Sequence, residues 1–155
     1  MGNTTPVAFD PAPRRLGTVK TYLAASAILA GQICSFAASG ASETVAPSTS
    51  SLGSPVGVAL YSQATTGGVV AVAGDGSEVK VMLSTDNGTA DAGDWIGVST
   101  IAGCAIVQDG AIAGDGTEAA GLFPIGQALE DIAAGASNVG GKGYVRINLQ
   151  PIWTA

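Results

Sequence analysis

Histidine is absent from this chain of 155 residues. Its absence removes the commonest general base and metal-ligating side chain. It also removes any Ser–His or Cys–His pair within one chain. Charged residues make up 12% of the chain, about half the usual share of roughly 25%. Aromatic residues make up 5%, too few for the stacking walls that surround paired carboxylates in glycoside-cleaving sites. Cysteine occurs twice, at Cys34 and Cys104. The two are far apart in the chain and lack the paired spacing of a zinc site. Each lies in an apolar run and reads as a small buried hydrophobe. Whether they are bridged depends on facing Cβ atoms, which a sequence does not display. No Gly-x-Gly-x-x-Gly and no phosphate-loop pattern is present. These absences point away from an enzyme and supply no catalytic, metal or cofactor residues.

Long apolar runs are missing too, and nothing approaches the ~20 residues that span a bilayer. The stretch "RRLGTVKTYLAASAILAG" resembles a twin-arginine leader, but its apolar part is short and Ala-rich, and no clear cleavage box follows. Pro6 stands where a myristoylation signal requires Ser or Thr. The chain is therefore expected to be soluble and unprocessed, with no membrane partner.

What is abundant is glycine, with 23 residues, alongside Ala, Val, Ile and Leu. This is the composition of a light, turn-rich β protein, and the length fits one domain. The net charge of −6 is unevenly spread. Arg14, Arg15 and Lys20 face only Asp10 within the first twenty residues, so that segment carries +2 and the rest −8. A basic arm on an acidic body suits an acidic partner, whereas the body repels nucleic acid.

Residues 1–17 hold three prolines and no periodicity, and read as an extended N-terminal arm on a single β-domain, 18–155. Such an arm cannot offset its own ordering entropy, so ordering requires a neighbouring copy or another protein to hold it. Beyond it, strands are expected at 18–23, 32–37, 56–61, 69–73, 78–84, 95–100, 105–108, 123–129 and 144–149. In "YVRINL", Tyr144, Arg146 and Asn148 fall on one face and Val145, Ile147 and Leu149 on the other. "DNG" at 86–88, "GDGSE" at 74–78 and "GDGTE" at 114–118 read as turns. "LAASAILA" and "ALEDIAAGA" could form a helical turn or two.

The chain also repeats itself. "ILAGQICSF" (28–36) matches "ADAGDWIGV" (90–98), and "GVALYSQATTG" (57–67) matches "GQALEDIAAGA" (126–136). Two copies are too few for a solenoid, but can pair as half-barrels that cover each other's apolar face. Gly57 and Gly126 fall inside strands, where glycine marks a sharp bend or a close backbone approach. The expected fold is all-β: a small β-barrel or β-sandwich built from two similar halves.

Few residues offer a binding chemistry. Asp86, Asp91 and Asp94 lie close in sequence and could bind calcium, or be ordinary turn residues. The same choice applies to Asp75 with Glu78 and to Asp115 with Glu118. Phe9 in the arm and Trp153 in the tail either anchor in a partner's pocket or fold back on their own domain. Arg14 and Arg15 either contact an acidic partner or form a solvated pair.

The ordered set "SAILAGQICSF", "PVGVALYSQATTGGVVAV", "ADAGDWIGV" and "GLFPIGQALEDIAAGASNVGGKGYVRINL", spread over 18–149, resembles the capsid cement, or head-decoration, proteins of tailed bacteriophages. The resemblance implies a small barrel-like body on the outer surface of the virion. It implies the major capsid protein as partner, together with neighbouring copies of the same chain as a homotrimer. That family has no catalytic residues to carry over. The alternative is a carbohydrate- or cell-binding β-domain of a tail fibre or adhesin, using calcium in its acidic loops.

Overall fold

A computed structural model describes residues 12–37, 43–49, 55–84, 89–108, 124–133 and 141–149. It contains ten strands: β1 (Val19–Ala24), β2 (Ile33–Phe36), β3 (Thr44–Pro47), β4 (Pro55–Ala59), β5 (Val69–Ala73), β6 (Glu78–Met82), β7 (Trp95–Val98), β8 (Ala105–Gln108), β9 (Pro124–Ala128) and β10 (Lys142–Ile147). There is no helix among the described residues. Strands β1 to β5 form a closed barrel in the order β1-β3-β2-β4-β5, and β6 to β10 form a sheet in the order β6-β10-β9-β7-β8.

These are two copies of one topology. Replacing β1–β5 by β6–β10, strand for strand, turns the first neighbour order into the second. The barrel closes through parallel pairing of Leu23 with Thr44 and of Ala24 with Val45. In the second unit the corresponding edges meet only at one isolated parallel bridge, Leu83 to Ala105, and the sheet does not close. Even the irregularities recur. A register shift at Cys34/Ser35 lies opposite β4, and another at Ile96/Gly97 lies opposite β9. Gly31 and Gly93 both take positive φ, +87° and +98°. Their N–H groups donate to the carbonyls of Ala59 and Ala128, at 2.9 and 2.8 Å.

The all-β class and the two similar halves are as the sequence implies, but the halves are not half-barrels. Each is a five-stranded unit, and the first closes on itself. The difference is β3, which lies in Ser/Thr-rich text and ends on Pro47. That text reads as loop, because its strand character comes from pairing with β1 and β2 rather than from local propensity. The "LAASAILA" segment is not helical either. The N–H groups of Ala25 and Ile28 donate to the carbonyls of Val45 and Gln63 at 2.8 and 2.9 Å, which withdraws them from any helix. Of the expected turns, "GDGSE" is present, with Gly76 at φ +80°. "DNG" and "GDGTE" lie outside the described residues.

Alternation along β5 sets the core. Val70 and Val72 point into the barrel with Ala24, Ile28, Cys34, Val45 and Ala59. Ala71 and Ala73 point outward and join Ile33, Val58 and Leu60 in a larger cluster with Val79, Val81, Ile96, Ile125, Val145 and Ile147 of the second unit. Backbone bonds cross the same boundary. Ile33 N–H donates to the carbonyl of Gly103 (2.8 Å), Gly103 N–H to Ser48 (2.7 Å) and Met82 N–H to Gly31 (2.9 Å). The two units thus share one core.

Gly57 and Gly126 occupy matching bends where no side chain fits. A Cβ at Gly57 would collide with the carbonyl oxygen of Ala73, and one at Gly126 with that of Arg146. The Gly126→Ala variant is expected to lose roughly 2–4 kcal/mol through strain and strand displacement. Gly67→Ala, where nothing lies within 4 Å, should lose only about 1 kcal/mol, the cost of its positive φ. Urea unfolding of both variants measures the difference, and equal losses would remove close packing as the reason for glycine.

Neither cysteine forms a disulfide, and both thiols are buried. Burial inside the barrel pushes the Cys34 thiol up to about 12 from the usual 9.0, against a lowering contribution from the Ala59 backbone. The unfolded thiol ionises first, so this group's contribution to stability is present below pH 9.0 and is lost as pH rises toward about 12. Alkylation at neutral pH should leave both cysteines unmodified in the native protein and label both in urea.

Candidate docking face

The outer face of the second unit is built by strict alternation. Along β10, Gly143, Val145 and Ile147 are buried, while Lys142, Tyr144 and Arg146 point away from the core. Register then brings neighbours onto that face. Tyr144 sits beside Lys80, and Arg146 beside Glu78. Arg146 also faces Gln127, and Gln127 faces Trp95. A row Glu78–Arg146–Gln127–Trp95 therefore crosses four strands, with the Lys80–Tyr144 pair next to it.

The matching row in the barrel is Val19–Ala73–Val58–Ile33. There Ala73, Val58 and Ile33 are fully buried against the second unit. The same place in the duplicated fold is thus an internal interface in one unit and an open, mixed aromatic and charged face in the other.

The arm organises this face. Glu78 N–H donates to the Arg15 carbonyl (2.9 Å), and Arg14 N–H donates to the Glu78 carbonyl (2.9 Å). Gly17 N–H donates to Ser77 Oγ (2.9 Å). Residues from 12 onward are in this way laid along the edge of β6. The Arg14 guanidinium lies 4.0 Å from the centroid of the Tyr144 ring, and Lys80 Nζ lies 5.2 Å from it. Arg14 also pairs with Glu130 at 3.2 Å. Glu130 accepts the Tyr144 N–H through its other oxygen (3.0 Å). The Tyr144 hydroxyl donates to the carbonyl of Ala12 (2.8 Å). Arg146 donates through Nε and a terminal nitrogen to one Glu78 oxygen, at 3.3 and 3.0 Å. Both ion pairs are solvent-accessible, so each contributes less than about 1 kcal/mol, and their effect is to orient the side chains.

Of the residues named from sequence, Arg14 and Arg15 are held against the body of the same chain, with their side chains exposed. Phe9 and Trp153 lie outside the described residues. Trp95, Lys80 and Lys142 were not singled out, although strict alternation through "YVRINL" and "EVKVML" signals which side chains share a face. The partners across the sheet come only from register.

The aspartates near residue 91 have a local explanation. Asp94 Oδ2 accepts the Asp91 N–H (2.9 Å), and Asp131 Oδ1 accepts the Ala92 N–H (3.0 Å). In the barrel, Gln32 Oε1 and Ser62 Oγ accept the N–H groups of Leu29 and Ala30 at 2.9 and 3.0 Å. Neutral and acidic oxygens thus cap the same turn in the two copies. Asp86 lies outside the described residues. Among the described residues no group of three His, Cys, Asp or Glu side chains is placed to hold a metal ion.

No family model matches the sequence, and no curated protein matches it. The fold is similar to that of the N base of the head fibre protein gp8.5 of bacteriophage phi29, seen in its crystal structure. The likeness covers 88% of this chain and 98% of that one, with a TM-score of 0.54 and 17% identity.

The geometry around Glu130 has a measurable consequence. Glu130→Ala removes the acceptor of the Tyr144 N–H and the partner of Arg14, and should cost about 1–2 kcal/mol. Tyr144→Phe removes only the bond to Ala12 and should cost under about 1 kcal/mol. Both should speed hydrogen exchange at the Arg14 amide. Unchanged exchange in both variants would mean that the arm is held by its backbone bonds alone.

Proposed function

We propose that this protein is a structural component of a tailed-phage virion, a decoration or cement protein on the outer surface of the assembled head. It binds the major capsid protein and stabilises contacts between neighbouring capsid subunits. The observation that carries this reading is the likeness to the N base of a phage head fibre over nearly all of that domain. Two further features support it. The motif order over 18–149 resembles that of head-decoration proteins, and the second unit offers a broad face of Trp95, Tyr144 and basic side chains. The task is mechanical: it needs no catalytic residue and no cofactor.

Neighbouring copies are the second partner in this reading, in a homotrimer. Leu23 and Val69 are paired across β1 and β5 on the outside of the barrel and are 42% and 51% exposed, and Phe36 is 43% exposed. Such side chains suit contacts between copies. Phe9 and Trp153 serve as anchors for the arm and tail on adjacent subunits. Many copies on one lattice gain from avidity, so each contact can be modest.

Co-sedimentation with expanded, undecorated phage heads tests the proposal. The purified protein should pellet with the heads at saturable stoichiometry and raise the temperature at which they release DNA. Removing residues 1–11 should lower occupancy while leaving the protein's own melting temperature unchanged. Heads that neither bind the protein nor gain heat resistance would sink the reading.

A further inference from the structure

Six side chains in the whole chain carry a positive charge. Five of them belong to this face: Arg14 and Lys80 lie over the Tyr144 ring, Lys142 and Arg146 flank it on β10, and Arg15 is bridged to Glu78 beside Arg146. Register and the arm bring them together from three separate segments. Within this group the acids are Glu78 and Glu130. Five cations against two carboxylates give the face +3. The other described charges, Lys20, Glu43, Asp75, Asp91, Asp94 and Asp131, together carry −4. Among the described residues the positive charge is thus concentrated on the outward side of β6 and β10 and on the arm beside them.

We infer that this face docks onto an acidic protein surface. The inference rests on the reading of the protein as a component that binds a protein shell, and it names the chemistry of the contact. Charge complementarity selects the partner. Arg15, Lys80 and Lys142 make no ion pair with any described residue, so no described carboxylate neutralises them. The Lys142 stem packs over Gly31, with Cδ and Cε 3.7 and 3.6 Å from where a Cβ would stand there, which leaves its ammonium group at the rim. Trp95, Tyr144 and the arginines are the residue types that dominate protein–protein contacts.

A nucleic acid fits less well. The Tyr144 ring has Arg14 at 4.0 Å and Lys80 at 5.2 Å from its centroid, so a stacking base would compete with these cations for the ring. Glu78 and Glu130 lie inside the cluster, and the acidic remainder repels a phosphate chain. An acidic protein surface is instead attracted to this face and repelled by the acids described elsewhere, which orients the approach.

The test uses the full chain and the double variant Arg15→Glu/Lys142→Glu, which reverses two exposed charges and brings the face to about −1. Three probes are compared: immobilised polyglutamate, a short DNA duplex and undecorated heads. The wild-type protein should be retained on polyglutamate at about 0.01 M salt, where exposed charges act over roughly 30 Å, and be released by about 0.15 M. The variant should pass through, and its affinity for heads should fall about tenfold or more. Arg15→Gln/Lys142→Gln, with a smaller loss expected, replaces the variant if charge reversal prevents folding. Wild type retained on polyglutamate but not bound to heads would leave the face standing and remove the shell-binding reading. Equal binding of wild type and variant to heads would overturn the face and leave that reading intact. Tighter retention on DNA than on polyglutamate would overturn it in favour of nucleic acid. Self-association of the wild type that the variant abolishes, without polyglutamate retention, would assign the face to a second copy.

Discussion

The architecture depends on covering the outward row Ile33–Val58–Ala73 of the barrel. A closed barrel of this size fills its interior with one set of alternating side chains and leaves the other set outside. Here the outside set on β2, β4 and β5 is apolar. Full burial of side chains such as Ile33, Val58 and Leu60 contributes on the order of 1.5–3 kcal/mol each, more than the exposed ion pairs of the second unit can supply. The second unit is therefore required as a lid, and the short side chains of Ala71 and Ala73 let it approach closely. Backbone bonds from Ile33, Met82 and Gly103 then fix how it sits.

Once that row is buried, its counterpart in the second unit is released from structural duty. Ile33 becomes Trp95, Val58 becomes Gln127 and Ala73 becomes Arg146, at equivalent places in equivalent strands. Duplication supplies the same scaffold twice, and divergence assigns one copy to the core and the other to the surface. The turn at 91–94 shows the opposite behaviour: Asp94 and Asp131 replace Gln32 and Ser62 without changing the bonds, since either kind of oxygen caps an N–H group. An acidic cluster in the sequence can thus be read only after its acceptor role is known.

The arm connects structure to the proposed role. Its backbone adds to the edge of β6, which protects an otherwise open strand edge, and its Arg14 completes the surroundings of Tyr144. Positive charge concentrates there because strand register and arm placement act together. In the proposed role, a surface of that kind would give the protein a preferred orientation on an acidic partner.

Much of this was readable from the residues. Alternation in "EVKVML" and "YVRINL", the paired Pro-x-Gly strands and the Ala-Gly turns announced an all-β protein in two similar halves. Gly57 and Gly126 announced bends, since a glycine between apolar strand residues has few other uses. Strand β3 was not readable, because "TVAP" becomes a strand only through partners on β1 and β2. The second copy held a hint, since β8 occupies the matching place between β7 and β9. The helical look of "LAASAILA" misled for the same reason: long-range acceptors outbid a weak local preference. By itself, then, the sequence determined the fold class, the duplication and the positions of the bends, all of which follow from side-chain period and steric allowance along the chain. Only the tertiary structure decided that each half is complete, which copy of the row is buried, and that five cations share one face, because those depend on register and closure between segments that no local pattern encodes.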